Sequence, residues 1–295
     1  FAHIINPVKV KKNRDLFYAQ PVTFETFKIA KNFSSINIEQ YSVQFREDRE
    51  IIPNHINIID DLSRSLKDLG DYEYKLPFFK DILDLCYEKT NSDYIIYSDS
   101  DIALMPNFYS SINSLIKKGH DSIIVNRRDI TPKYKDIKDI PLMWSEVGHK
   151  HPGWDCYVFK KDLYKNFKLE DIVVGAVGDG EALRANMIFH SNNFIELENA
   201  HLTFHIGISP RRTNQFSNSA WVKCNLHNNK EVKLILSQII SIANGTNVEW
   251  AKESLKAQEI RTKKFEEGLF GEKRFFGYWI LKRFLNLFGI GRHGF

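Results

Sequence analysis

Apolar residues recur along the first two hundred positions in two alternating rhythms. Short continuous runs read as buried strands: Ala2-His3-Ile4-Ile5, Ile36 to Phe45, Ile56 to Ile59, Tyr94-Ile95-Ile96-Tyr97, Ser122-Ile123-Ile124-Val125 and Trp154 to Phe159. Between them the spacing becomes helical. Phe24, Phe27 and Ala30 share one face, as do Phe78, Ile82, Leu85 and Cys86 after Leu76-Pro77, and Phe108, Ile112, Leu115 and Ile116 after Pro106-Asn107. Leu163, Tyr164 and Phe167 predict another helix, and Ala182 to Met187 a further one. Strand and helix in alternation predict an α/β fold with helices on both sides of the sheet. Asp60-Asp61 reads as a strand stop and helix cap before Leu62, and residues 129–150, weakly periodic and rich in turn formers, as one long loop. From Asn228 onward Val232, Leu234, Ile235, Ile239 and Ile240 form one apolar stripe. Gly245-Thr246-Asn247 interrupts it, and a helical region starting near Trp250 follows.

The chemistry concentrates where one of these strands ends. Tyr94 to Tyr97 runs into Asp99-Ser100-Asp101 and a second apolar run. Alternate residues of an extended chain face the same way, so two carboxylates separated by one small residue can share a target. Their mutual repulsion is relieved by a divalent cation, and hard oxygen ligands suit Mg²⁺ or Mn²⁺. In open α/β sheets ligands collect at the carboxyl ends of strands. That rule brings in Asn6-Pro7 after the first strand, Lys75 before the helix feeding the acidic strand, Arg127 after another strand, Asp155, and His205 in Leu202-Thr203-Phe204-His205.

Composition narrows the classes. Of 295 residues, 43% are hydrophobic and 26% charged, as in an ordinary globular protein, and a net charge of +4 is too small to make nucleic acid the main partner. The 22 Phe, 12 Tyr and 5 Trp are read chiefly as core. Cys86, Cys156 and Cys224 are odd in number and far apart, without metal spacing, which favours a reducing, cytoplasmic compartment. No run approaches the roughly 20 apolar residues of a membrane span.

The acidic tripeptide, placed after helix and strand and before another helix, resembles the DxD element of GT-A-fold glycosyltransferases. The resemblance implies a GT-A-like mixed sheet of Rossmann type, flanked by helices, with a C-terminal helical appendage. It also implies a nucleotide diphosphate sugar donor, UDP-sugar or GDP-sugar, and Mn²⁺ or Mg²⁺ held by Asp99, Asp101 and a late histidine, His205 or its neighbour His201. Asp101 is then the surer metal ligand, and Asp99 an alternative ribose contact. Asn6, Pro7, Lys75, Asp99, Ser100, Asp101 and Arg127 become nucleotide-sugar contacts, with Lys75, Arg127 and Arg211 or Arg212 as cations near the diphosphate. Trp154 and Asp155, after Gly148 to Gly153, resemble the acceptor-side segment of that class. Asp179 or Glu181, following a glycine-rich turn, is placed where inverting members carry their base, although acids at a helix N-terminus also serve its dipole.

On this reading residues 1–245 form the catalytic domain, with the donor part at about 1–128 and the acceptor part at about 129–227. Residues 246–295 form a basic, aromatic-rich helical region. Within it 273–288 pairs Trp279 and Tyr278 with lysines and arginines, which suits peripheral contact with an anionic membrane surface and so a glycan or lipid-linked acceptor. Two other functions fit parts of the pattern: a nucleotidyltransferase of related topology, and a carbohydrate-binding protein that keeps the fold without catalysis. The first normally places a glycine-rich basic loop after its first strand, where this chain has Asn6-Pro7-Val8.

Overall fold

The computed structural model describes residues 1–151, 153–207, 218–243 and 248–267. Arg211, Arg212 and the basic stretch 273–288 lie outside the described residues. Seven strands form the main sheet: β1 (Ala2–Ile5), β2 (Glu39–Gln44), β3 (Asn57–Asp61), β4 (Tyr94–Ser98), β6 (Ser122–Val125), β9 (Cys156–Lys160) and β10 (Phe194–Leu197), in the order β10-β6-β9-β4-β1-β2-β3. Only β9 runs antiparallel to its neighbours, β4 and β6. The central strands are buried on both faces, which is why they read as continuous apolar runs rather than alternating ones. Helices α1 (Leu16–Phe33), α2 (Phe79–Lys89), α3 (Phe108–Lys117) and α5 (Asp179–His190) supply the flanking layers. Phe24, Phe27, Phe108 and Ile112 pack with Ile5, Ile96 and Ile123 in one cluster, and Phe79, Ile82, Cys86 and Leu183 with Ile4, Ile95 and Phe159 in another.

A second sheet of four short strands lies beside the first: β5 (Ala103–Leu104), β7 (Arg128–Ile130), β8 (His149–Lys150) and β11 (Thr203–Ile206), ordered β5-β11-β7-β8. It corrects the expectation of a long loop over 129–150. That segment contributes β7, β8, a short 3₁₀ turn and the six-residue helix α4 (Ile140–Ser145), whose Ile140 and Met143 cover Ile130 and Phe204. Three further expectations change. Asp60 and Asp61 belong to β3 and cap no helix; the cap is Ser65, opening a 3₁₀ turn at Leu66–Leu69. Pro77 makes an isolated bridge to Ser65, and α2 begins two residues later. Leu163 and Tyr164 sit in a 3₁₀ turn, Lys161–Asn166, rather than in an α-helix.

Two C-terminal helices follow among the described residues. Helix α6 (Ser219–Ile242) packs on α5, and α7 (Glu249–Glu266) packs along α6, sending Ala251 into the main core with Val232, Ile235 and Ile239. All three cysteines are buried thiols. No helix of the described residues is long and apolar enough to cross a membrane.

Candidate functional site

Strand pairing assembles the site. At the carboxyl end of β4 the backbone turns, with Ile102 N–H donating to Asp99 O over 3.1 Å, so Asp99-Ser100-Asp101 is a tight turn and not the extended segment that strand alternation requires. The turn hands the chain to β5, which pairs antiparallel with β11 through Ala103 and Phe204. On its other side β11 pairs parallel with β7, setting His205 opposite Asp129. Phe204 points into the apolar cluster of the small sheet, and the alternate residue His205 turns instead toward the acids of both neighbours.

His205 lies between two carboxylates: Nε2 is 3.5 Å from Asp101 Oδ2 and Nδ1 is 3.7 Å from Asp129 Oδ1. Its tautomer follows from a third contact. Nδ1 is 2.7 Å from Gly207 O, and a carbonyl can only accept, so Nδ1 carries the proton. In the neutral ring Nε2 then presents a lone pair toward a carboxylate. An imidazole nitrogen and a carboxylate oxygen at that spacing are two donor atoms that one metal ion can engage. Imidazole and carboxylate together fit Mn²⁺, and fit Mg²⁺ through the carboxylate. Among the described residues no three His, Cys, Asp or Glu side chains converge as a ready metal cage, so further ligands would have to come from a bound diphosphate or water. His201 lies two residues before β11, with its Nε2 buried and unpaired, and it touches neither acid.

Arg127 is the second centre. Expected as a cation near the diphosphate, it is 7% exposed and already engaged by side chains of the protein. Nη1 donates to Asp155 Oδ1 over 2.7 Å, Nε donates to Asp129 Oδ1 over 2.9 Å, and Nη2 is 3.3 Å from His151 Nε2. Burial alone would raise the Asp155 carboxyl; the Arg127 charge and then His151 outweigh it and hold that carboxyl below its usual range. Its second oxygen, Oδ2, is buried without a hydrogen-bond partner, and His151 Nδ1 stands 3.7 Å away. Asp155 adjoins the acidic turn directly, since Asp99 N–H donates to Asp155 O over 3.1 Å.

Two buried tyrosines tie the acids together. Tyr97 and Tyr157 face each other across β4 and β9. Burial first, then Asp99 and Asp179, keeps the Tyr97 phenol protonated far into alkali. For Tyr157 burial comes first and the carboxylates are Asp179, Asp99 and Asp155. Geometry links Asp179 to this pair, because the Tyr157 hydroxyl packs against Gly180, the next residue after Asp179. Asp179 is the first residue of α5, and its carboxylate accepts from Gly175 N over 2.9 Å and Gly180 N over 2.7 Å.

The other expected residues have different company. Glu181 instead pairs with α7, accepting from Arg261 Nη1 over 2.6 Å and Gln258 Nε2 over 2.7 Å. Trp154 donates from Nε1 to Glu196 over 2.6 Å, and the Arg184 guanidinium covers its ring at 4.7 Å, so one stacking face is taken. Asn6 donates to Val43 O over 2.6 Å beside buried Pro7, tying the ends of β1 and β2. Lys75 pairs with Glu47 and lies 3.9 Å over the Phe45 ring, on the rim past β2. Ser100, nearly buried, fills the turn. Sequence reading missed Asp129 and His151. Asp129 could have been found only from the His205 pairing, which no local pattern announces.

Neither a family model nor a curated protein sequence matches the chain. Solved structures do. TarS 1-349 from S. aureus in complex with UDP-GlcNAc superposes with a TM-score of 0.52 at 10% identity, over 90% of this chain and 74% of that one. The mannosyltransferase PcManGT from Pyrobaculum calidifontis, in complex with GDP-Man and Mn²⁺, aligns over 97% of this chain and 80% of that one at 11% identity, with a TM-score of 0.45. At such identities the likeness to TarS is one of fold, and it extends through the mixed seven-stranded sheet and its flanking helices.

Proposed function

We propose that this chain is a glycosyltransferase that moves a sugar from a nucleotide diphosphate donor to a hydroxyl group of a glycan or lipid-linked acceptor. The observation that carries the reading is the pair His205 Nε2 and Asp101 Oδ2, 3.5 Å apart, at the end of the strand that delivers Asp99-Ser100-Asp101. Asp101 and His205 would hold Mn²⁺ or Mg²⁺, with Asp99 beside them as a further ligand or as a ribose contact. The metal would supply positive charge where the departing diphosphate becomes negative. The protein's own residues divide the remaining work. Asn6, Pro7 and Lys75 border the donor nucleotide at the ends of β1 and β2. Asp155, kept ionised by Arg127 and with one oxygen unspent, accepts a hydrogen bond from a sugar hydroxyl. Asp179 takes the acceptor hydroxyl proton; the pairing of Glu181 with the Arg261 guanidinium favours Asp179 over Glu181 for that role. The donor part then spans about 1–128 and the acceptor part about 129–227.

A panel of UDP-, GDP- and CDP-sugars incubated with the protein and Mn²⁺, followed by assay of released nucleotide, tests the reading. Turnover with one donor, abolished by Asp101→Asn in a protein that remains folded, is the expected result. Neither turnover nor saturable metal-dependent nucleotide binding with any donor would overturn it in favour of a non-catalytic carbohydrate binder.

A further inference from the structure

The loop that leads into Asp179 is held by side chains of the C-terminal helices. Residues 170–178 contain three left-handed positions, Glu170 (φ 46°), Gly175 (φ 91°) and Gly178 (φ 110°), so regular backbone pairing cannot satisfy the whole segment. It pairs on one side with the start of α2, where Val174 N–H donates to Pro77 O over 2.9 Å and Phe79 N–H donates to Ile172 O over 2.8 Å. On the other side its partners are asparagines of α6. Asn228 Oδ1 accepts from Val173 N over 2.9 Å, and Nδ2 donates to Val173 O over 2.8 Å and to Ala176 O over 3.2 Å. Asn225 Oδ1 accepts from Val177 N over 3.0 Å. Both asparagines are fully buried. Positions 225, 228 and 232 share one helix face, and Val232 closes the contact: a Cβ added at Gly178 would lie 3.1 Å from Val232 Cγ2.

Helix α7 adds a second brace two residues beyond Asp179. Arg261 donates to both oxygens of Glu181, from Nη1 over 2.6 Å and from Nη2 over 3.0 Å, and Gln258 donates to the same carboxylate. The paired fork fixes direction as well as distance. Asp179 thus sits in a short arc clamped before and after by two helices.

We propose that Asn225, Asn228 and Arg261 are positioning residues for Asp179, and that the C-terminal helical pair serves to aim that carboxylate. The proposal rests on reading Asp179 as the base, and Asp179→Asn separates its failure from failure of that reading. The test uses the full chain and the sugar nucleotide that the donor panel identifies. Asn225→Ala and Arg261→Ala are compared with the parent for the rate of nucleotide release, for binding of free UDP or GDP in Mn²⁺, and for deuterium uptake by amides 173–177. Arg261 is partly exposed, so its variant keeps the test alive where a buried asparagine variant fails to fold. The expected result is a loss of about tenfold or more in kcat, nucleotide affinity within about twofold of the parent, and faster exchange of those amides in Asn225→Ala. Full kcat in the folded variants, with Asp179→Asn inactive, overturns the bracing role alone. Full activity in Asp179→Asn overturns the base assignment and the positioning role with it.

Discussion

Arg127 joins Asp155, at the start of a main-sheet strand, to Asp129 of the small sheet, with its guanidinium 2.7 Å from one carboxylate and 2.9 Å from the other. One buried cation between two buried acids is a closed arrangement, and removing its centre leaves like charges facing each other. Arg127→Gln should therefore destabilise the protein by about 3 to 5 kcal/mol in urea unfolding at pH 7. The sign in acid follows from Asp155. Its folded pKa lies below the ordinary 3.8, so its contribution is full above that value and is lost as pH falls through the lower folded one. The parent should hold its stability to lower pH than Arg127→Gln. A loss below about 1 kcal/mol at neutral pH would place the charges in solvent after all.

The tautomer of His205 makes a separate prediction. With Nδ1–H committed to Gly207 O, only Nε2 can serve a metal ion. His205→Ala should weaken Mn²⁺-dependent nucleotide binding by on the order of tenfold or more, read by calorimetry at fixed nucleotide and varied Mn²⁺. His201→Ala should leave that titration in place. Equal effects from both variants would contradict the geometry.

His3 lies in β1, fully buried, with Nδ1 2.9 Å from Tyr109 Oη and Nε2 2.9 Å from Ser98 Oγ. Burial drives its pKa from 6.5 down to about 3. The unfolded chain binds the proton first, so stability is full above pH 6.5 and falls as the pH drops toward 3. Between pH 7 and pH 5 this one residue should remove about 2 kcal/mol of stability. Comparison of urea midpoints for the parent and His3→Gln at the two pH values checks it; parallel losses in both proteins would reject the assignment.

Gly180 tests the packing under Asp179. A Cβ there would fall on the Tyr157 hydroxyl, well inside contact distance, while the ring carbon bearing that hydroxyl stays 3.7 Å away. The hydroxyl itself donates to Trp154 O over 2.6 Å. Gly180→Ala should cost about 1 to 3 kcal/mol, and Tyr157→Phe, which removes the offending oxygen, should return much of that in the double variant. Strictly additive losses across the cycle would show that the clash is relieved some other way.

The legible parts of the chain were those whose partners are interchangeable. Ile95-Ile96 and Ile123-Ile124 announce buried strands because any apolar neighbour satisfies them, and the helical stripes of α2 and α3 follow the same logic. The small sheet was hidden because Arg128-Asp129-Ile130 and His149-Lys150 carry charges whose meaning depends on residues about twenty to seventy positions away. The acidic turn was legible in its residue types, but the condition for its two carboxylates to share a target by strand alternation, an extended segment, is not met, since the hydrogen bond from Ile102 to Asp99 closes a turn. Glu181 looked equivalent to Asp179 until α7 supplied Arg261, a contact spanning 80 residues.

Strand β9 runs against both neighbours, so Asp155 enters the main sheet at the same edge from which Arg127 leaves it. The intervening stretch, with β7, β8 and α4, has adjacent ends joined by Arg127 and Asp155, and it is held besides by β7 against β11 and by α4 over Phe204. Insertions at its exposed turn, residues 135–138, would leave the register of every strand in the main sheet untouched. Exchange of the whole stretch, by contrast, would take away Asp129 and the strand edge that sets His205 beside Asp101.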